Sequence, residues 1–404
     1  MISVTGLGVV TAIGLDVLSF TESLRAGRSA TEITGFDFAE RMDRFPHGLV
    51  DAARPVAASP FPVQVAVVAA VQAWESARLH ETAVPPDRVG LIVGGNNLTA
   101  RYSYDRYAEF VERPGRLRPS FVLQSLDTDH VGTVSEVLGI LGEGHTVGGA
   151  SAAGGVALVG AARMITSGEV DVCLVVGAML DLGPMERRAL LGLGAMTQST
   201  AGMRPFDAAH SGFVPGQGGA CLVLESGESA WRRGAHVQAV LAGCVTRLAG
   251  NRLADPSVDA EATVIREALR RAGVDASELS YVNTHGSGSP IGDVTEIHAL
   301  RAALGAHLVV PLMNSTKGLT GHCLTAAGVV EAVATIVQMD GGFVHPNVNL
   351  CDPIDRGIRF AGTHARQARL EVALSNSFGF GGFNSAAVFT RPERWSAREI
   401  REER

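Results

Sequence analysis

Apolar positions along the chain fall into two alternating textures. Short runs rich in Val, Ile and Leu, at residues 4–10, 89–94 and 170–177, carry few polar side chains and predict strands buried on both faces. Ala-rich stretches with helical spacing, at 62–77 and 131–141, predict helices packed on those strands. The alternation predicts an α/β fold whose helices cover a mainly parallel or mixed sheet. Gly6-x-Gly8, in the first run, has the look of a dinucleotide loop, but the third glycine is missing at the required spacing. A tight turn at the strand end is the expectation there.

The chain also resembles itself. Ser151-Ala152-Ala153-Gly154-Gly155-Val156 matches Thr325-Ala326-Ala327-Gly328-Val329-Val330 at an offset of 174 residues, and each hexamer opens an Ala/Val-rich stretch with helical spacing. Two related halves are expected, 1–235 and 236–391, divided at the Arg-bearing stretch 226–235, with a charged tail at 392–404. Both repeated helices are almost free of charge, so they are expected to be buried, against one another, at the centre. The last fourteen residues, 391–404, hold nine charges and are expected to be a solvated helix or disordered.

Composition narrows the chemistry. The 34 basic and 41 acidic residues leave a net charge of −7, and no Lys/Arg run offers the basic face that nucleic acid requires. Five cysteines (Cys173, Cys221, Cys244, Cys323 and Cys351) form no C-x-x-C pair, which suggests neither disulfides nor a zinc knuckle and fits a reducing cytoplasm. The start of the chain lacks a basic signal region, and the longest uncharged stretches carry Gln, Trp or many Gly, so neither export nor a membrane span is expected. Of the 34 basic residues, 33 are Arg and Lys317 is the single lysine. A coding bias explains the 33 but not the exception. A compact ammonium in a tight polar site cannot be exchanged for a planar guanidinium, which marks Lys317 as a candidate functional residue.

Four segments concentrate polar residues in Gly-rich surroundings: Gly148-Gly149-Ala150-Ser151-Ala152-Ala153-Gly154, Thr284-His285-Gly286-Ser287-Gly288-Ser289-Pro290, Asn314-Ser315-Thr316-Lys317-Gly318-Leu319-Thr320-Gly321-His322, and Ser375-Asn376-Ser377-Phe378-Gly379-Phe380-Gly381-Gly382. Each alone reads as a loop. Together, in this order and with Arg204-Pro205-Phe206-Asp207 and Gly212-Phe213 between them, they resemble the ketosynthase branch of the thiolase superfamily over almost the whole chain. The resemblance implies a thiolase-like fold, two α/β halves with buried central helices in five layers. It further implies that Ser151 stands where the family has its nucleophilic cysteine. A thiol with pKa near ~8.5 is partly ionised at neutrality, whereas an alcohol needs an adjacent base. His285 and His322 match the two family histidines, Lys317 the lysine beside them, and Glu331 a buried acid on the second helix. Ser287 and Ser289 replace two threonines that hold the phosphopantetheine arm.

The same resemblance implies two sets of oxyanion donors, the ring N–H groups of His285 and His322 and the backbone N–H groups of Ser151 and Phe380. Phe378 and Phe380 would form a dry wall that favours carbon dioxide over a hydrated carboxylate. With serine in the nucleophile place, and with Gly341-Gly342-Phe343-Val344-His345-Pro346-Asn347 downstream, the chain looks like the stand-alone malonyl-acyl-carrier-protein decarboxylases of polyketide β-branching cassettes. Such an enzyme needs no metal and no diffusible cofactor. Its implied partners are a malonyl-loaded acyl carrier protein, a hydroxymethylglutaryl-synthase-like enzyme downstream and a second copy of itself. Three other readings stay open: a Ser-dependent acyltransferase or thioesterase, a chain-length-factor-like non-catalytic partner, and a condensing ketosynthase whose cysteine has been changed to serine.

Overall fold

The computed structural model describes residues 1–81, 84–199 and 202–394. Its large sheet is built from β1 (Ile2–Thr11), β2 (Val89–Gly94), β3 (Gly144–Val147), β4 (Val172–Gly177), β5 (Gly218–Ser226), β6 (Ala239–Leu248), β7 (Tyr281–Asn283) and β8 (Leu312–Asn314). A short ladder of β9 (Phe343–Val344) with β10 (Arg366–Gln367) then precedes two further strands of that sheet, β11 (Val372–Gly379) and β12 (Phe383–Thr390). The first five strands lie in the order β3-β2-β4-β5-β1, and the second five mirror them as β6-β12-β11-β7-β8. In each set the strand second from the edge pairs parallel with both neighbours, and the remaining pairs are antiparallel. The sets join where Ser3 and Val4 of β1 face Val240 and Ala239 of β6. From this repetition we infer the division into halves at 235/236. Of the charged tail, residues 395–404 lie outside the described residues, and Pro392–Arg394 form a single 3₁₀ turn.

Six helices frame the layers and the site between them: α1 (Phe61–Ser76), α2 (Thr128–Leu138), α3 (Ala153–Thr166), α4 (Val258–Ala272), α5 (Pro290–Leu304) and α6 (Ala327–Gly341). The strands sort their side chains between layers. Along β4, Cys173 and Val175 join the central core with α3 and α6, while Val172, Leu174 and Val176 face α1 and α2. Along β11, Ala373 faces the centre, and Val372 and Leu374 face α4 and α5. Period-two alternation with both faces covered yields five layers: outer helices, strands, the α3/α6 pair, strands, outer helices.

The central pair is possible because its helices are small-sided. A Cβ on Gly154 would lie 2.8 Å from the Val329 backbone nitrogen, and one on Gly328 would lie 2.8 Å from that of Gly155. The helices therefore touch backbone to backbone. Gly6 and Gly8 follow the same logic and correct the expected strand-end turn. They sit inside β1, where a Cβ would lie 2.2 Å from the Ala73 carbonyl oxygen and 1.9 Å from that of Ala69 on α1. The helix expected at 131–141 also shifts. It runs Thr128–Leu138 and stops at Gly139, whose left-handed φ of 67° ends the helix before Ile140 and Leu141.

Gly154→Ala is expected to destabilise the protein by about 1–3 kcal/mol in urea unfolding, because two helix backbones must separate to admit one methyl group. Gly132→Ala, inside α2 and with nothing within 4 Å, should instead stabilise by about 0.5–1 kcal/mol.

Candidate active site

The internal repeat shapes the site at the level of single dihedrals. Ala150 has φ 48° and Leu324 has φ 51°, both in the left-handed region that costs a non-glycine residue about 1–2 kcal/mol. Each begins a 3₁₀ turn, Ala150–Ala152 and Leu324–Ala326, that leads into α3 or α6, and the two turns pack against each other. Ser151 lies on the first turn and His322 two residues before the start of the second. The end of β11 closes on the first turn at Gly379, where a Cβ would lie 2.5 Å from the Gly149 oxygen and 3.1 Å from the Ser151 nitrogen. Ser151, His285, His322, Ser287, Ser289, Phe378 and Phe380 all line one cavity of about 370 Å³.

Both histidines are held in one tautomer. His285 Nδ1 accepts from the Phe378 backbone N–H at 3.3 Å, and His322 Nδ1 accepts from the Leu324 backbone N–H at 3.1 Å. In a neutral ring the proton then sits on Nε2, so each presents an N–H donor. Burial, and then the charge of Lys317, hold both rings well below the ordinary histidine range, with His322 adding a little to the shift at His285. They are neutral donors at pH 7. Their rings stand edge to face, with centroids 5.6 Å apart, and Phe213 packs edge to face on His322 at 5.0 Å.

Lys317 acts on His322 through its charge and not through a hydrogen bond among the described residues. Its ammonium donates to the His285 carbonyl oxygen at 2.6 Å and pairs with Glu331 Oε1 on α6. Lys317 and Glu331 are 1 % and 2 % exposed. Burial pushes the Glu331 carboxyl up to about 7 against the pull of Lys317. A second acid holds the same loop from the other side. Glu296 on α5 accepts from the backbone N–H groups of His285 (2.8 Å) and Gly286 (2.7 Å) and from the Asn376 side chain (3.1 Å). His285 is thus fixed by an ammonium at its carbonyl, a carboxyl at its amide and a backbone N–H at its ring. Behind Lys317, Asn283 donates to Thr316 at 2.8 Å, and Thr316 in turn contacts His345 Nε2 at 3.0 Å.

All nine expected residues fall in or beside the cavity, in different situations. Ser289 caps α5, accepting from the Gly292 N–H at 3.4 Å, and Ser287 Oγ accepts from the Ser289 N–H at 3.4 Å. Phe378 is buried beside His285, with ring centroids 5.6 Å apart, whereas Phe380 stands 40 % exposed at the cavity mouth. Sequence reasoning missed Glu296, Phe213 and Asp293. Asp293 accepts from the Phe206 and Gly288 N–H groups at 2.6 and 2.9 Å and meets His210 Nδ1 at 3.0 Å, joining the Arg204–Asp207 segment to the serine loop. Asp293 and Glu296 three residues apart on an otherwise Ala- and Leu-rich helix were the available signal. Among the described residues, no group of three or more His, Cys, Asp or Glu is placed to hold a metal ion, and no helix is long and apolar enough to cross a membrane.

Residues 1–230 match the family described as Beta-ketoacyl synthase, N-terminal domain, and residues 238–351 match Beta-ketoacyl synthase, C-terminal domain. The polyketide biosynthesis malonyl-ACP decarboxylase PksF of Bacillus subtilis is 37 % identical over 97 % of this chain and 96 % of its own length. The 3-oxoacyl-(acyl-carrier-protein) synthase 2 of Coxiella burnetii is 30 % identical over 96 % of this chain and 98 % of its own. Among solved structures, the ishigamide ketosynthase/chain length factor superposes with a TM-score of 0.86 at 26 % identity, over 96 % of this chain and 98 % of that one. A chain from a type II PKS acyl-carrier protein in complex with its ketosynthase bound to the hexaketide superposes with a TM-score of 0.82 at 27 % identity, over 96 % and 98 %.

Removing the acid from the buried ion pair, as Glu331→Gln, leaves the Lys317 ammonium buried without a counter-charge and should cost about 3–5 kcal/mol in chemical unfolding at pH 7. Lys317→Met should cost less, because Glu331 can take a proton. With its folded-state pKa raised above the unfolded one, that variant binds the extra proton only when folded. It should therefore lose stability as pH rises from about 5 through about 7 and beyond. Equal costs with no pH slope would show that burial does not keep this carboxyl neutral.

Proposed function

The chain belongs to the beta-ketoacyl synthase family, and we propose that within it the protein decarboxylates malonyl-acyl carrier protein to acetyl-acyl carrier protein for polyketide β-branching. The observation that carries the reading is the pair of neutral Nε2–H donors, on His285 and His322, facing a cavity whose strained turn presents the alcohol of Ser151. The similarity to a malonyl-ACP decarboxylase along nearly the full chain supports it. In the malonyl thioester the bond between C2 and the carboxylate carbon breaks, and its electron pair moves into the thioester carbonyl. The enolate oxygen so formed takes hydrogen bonds from His285 and His322, carbon dioxide leaves, and C2 accepts a proton from water. The Ser151 and Phe380 backbone N–H groups form a further oxyanion site. Lys317, Glu331 and Glu296 act by fixing His285. Ser151 stands in the place of the nucleophilic cysteine and, un-ionised, forms no acyl intermediate.

The thioester arrives on the phosphopantetheine arm of a carrier protein, held by Ser287 and Ser289 with Phe378 and Phe380 as the apolar wall. A hydroxymethylglutaryl-synthase-like enzyme consumes the product. The five cysteines are all unpaired thiols, four of them buried, in keeping with a reducing cytoplasm. A homodimer fits the edge strand β3. Tyr107, Val111, Val122 and Leu123 also stand exposed, on two segments that the Tyr102–Gln124 hydrogen bond joins at 2.8 Å.

Purified protein mixed with malonyl-carrier protein should remove the mass of one carbon dioxide from the carrier without any partner enzyme, read by intact-mass spectrometry. His285→Ala and His322→Ala should each slow this by about 10²–10³. Ser151→Ala should lose no more than about tenfold. A fall of several orders of magnitude on Ser151→Ala would install the acyltransferase reading, and a folded wild type inert toward several malonyl-carriers would install the scaffold reading.

Light scattering should give twice 42.1 kDa at micromolar concentration. A single-chain mass would remove the homodimer.

A further inference from the structure

The cavity contains an acid that the mechanism does not use. Glu261, one turn into α4, lines it at 1 % exposure, and its Oε2 is buried with no hydrogen-bond partner among the described residues. Burial, reinforced by the nearby Glu296 carboxyl on α5, pushes Glu261 up to about 9, so at pH 7 it is a carboxylic acid. An acid in that form offers one O–H donor and one carbonyl acceptor side by side. An unmade buried hydrogen bond costs about 1–3 kcal/mol, and on a cavity wall a ligand can make it.

The position says which part of a substrate meets it. Ser151 and His322 enter the cavity from the turns before α3 and α6. Glu261 instead lines it together with Ser257, Ser289 and Ile291, all at the starts of α4 and α5. In the reading that gives Ser287 and Ser289 the phosphopantetheine arm, the end of the cavity that holds Ser289 receives that arm. A secondary amide, with its own donor and acceptor adjacent, is the complement of a neutral carboxyl. We propose that Glu261 is a substrate-positioning residue whose carboxyl donates to the oxygen, and accepts from the N–H, of a secondary amide in the phosphopantetheine arm. This rests on the carrier-arm reading of the site. It adds to the two serines a contact that tests for an amide rather than merely for a polar group.

The test compares malonyl-pantetheine with the malonyl thioester of ethanethiol, which has no amide. Glu261→Ala should raise KM for malonyl-pantetheine about tenfold with kcat held within about threefold, the size of one lost hydrogen-bonded contact. Glu261→Gln, whose amide keeps a donor and an acceptor, should restore KM. On the ethanethiol thioester, wild type and Glu261→Ala should be equal. An unchanged KM in Glu261→Ala, or the same loss on the amide-free thioester, overturns the proposal. Should wild type turn over no malonyl thioester, the decarboxylase reading fails while this one is still measurable by binding. Wild type should prefer arm-bearing over arm-free acyl carrier protein, and Glu261→Ala should lose that preference. Equal affinity of wild type for the two forms overturns it.

Discussion

The contact between α3 and α6 is the constraint on which the rest of the molecule depends. Two helices can meet backbone to backbone only where side chains are absent, and Gly154 and Gly328 supply that crossing, while Gly155 gives room to Ser385 of β12. Because the helices are copies of one another, their entrances are copies too. Each entrance is a left-handed residue followed by a tight turn, at Ala150 and at Leu324. Packing the helices together therefore brings the two turns together, and Ser151 and His322 meet on one cavity wall. The strain at Ala150 and Leu324 is tolerated because the surrounding layers leave these residues no alternative.

Electrostatics inside this frame is arranged to keep groups neutral where charge would be costly. Burial, reinforced by the nearby Lys317 ammonium, keeps both imidazoles from becoming imidazolium, and backbone N–H groups at each Nδ1 leave the remaining proton on Nε2. The result is a pair of fixed donors that need no reorganisation when negative charge develops on an oxygen between them. The Lys317–Glu331 pair is weak as a source of stability, since desolvation cancels most of its attraction. Its value lies in holding the His285 carbonyl while Glu296 holds the His285 and Gly286 amides.

Chemistry then turns on a single atom type at the turn. A thiol in that place ionises readily and takes an acyl group; an alcohol without a base does not. The histidines of this chain are neutral, but both direct a donor rather than an acceptor at the cavity, so neither is set to deprotonate Ser151. In the proposed reaction the frame thus offers an enolate oxygen two fixed donors and no base for the serine. The acid at Glu261 adds to this: a carboxyl that burial and the nearby Glu296 keep un-ionised lines the cavity with one oxygen unpartnered among the described residues.

Much of this was legible in the order of the residues. The hexamer repeat, the charge-free helices, the strands apolar on both faces and the single lysine each have a local cause in spacing or residue type. So an α/β fold with a buried central pair of helices, and Lys317, were expected from pattern and composition, while the five layers and the other site side chains came with the resemblance to the ketosynthases. What spacing alone could not supply was direction and partnership. Gly6 and Gly8 looked like a turn and proved to be a seat for α1, because a missing Cβ acquires its meaning only from the atom that would have struck it. Lys317 was marked by composition, but its partners, the His285 carbonyl and Glu331 of α6, were set by which elements the fold brought around it. Glu296, Asp293 and Glu261 had no signature beyond acids on helices. A carboxyl becomes a clamp, a hinge or an un-ionised donor according to what tertiary packing removes from around it, and that is decided in space.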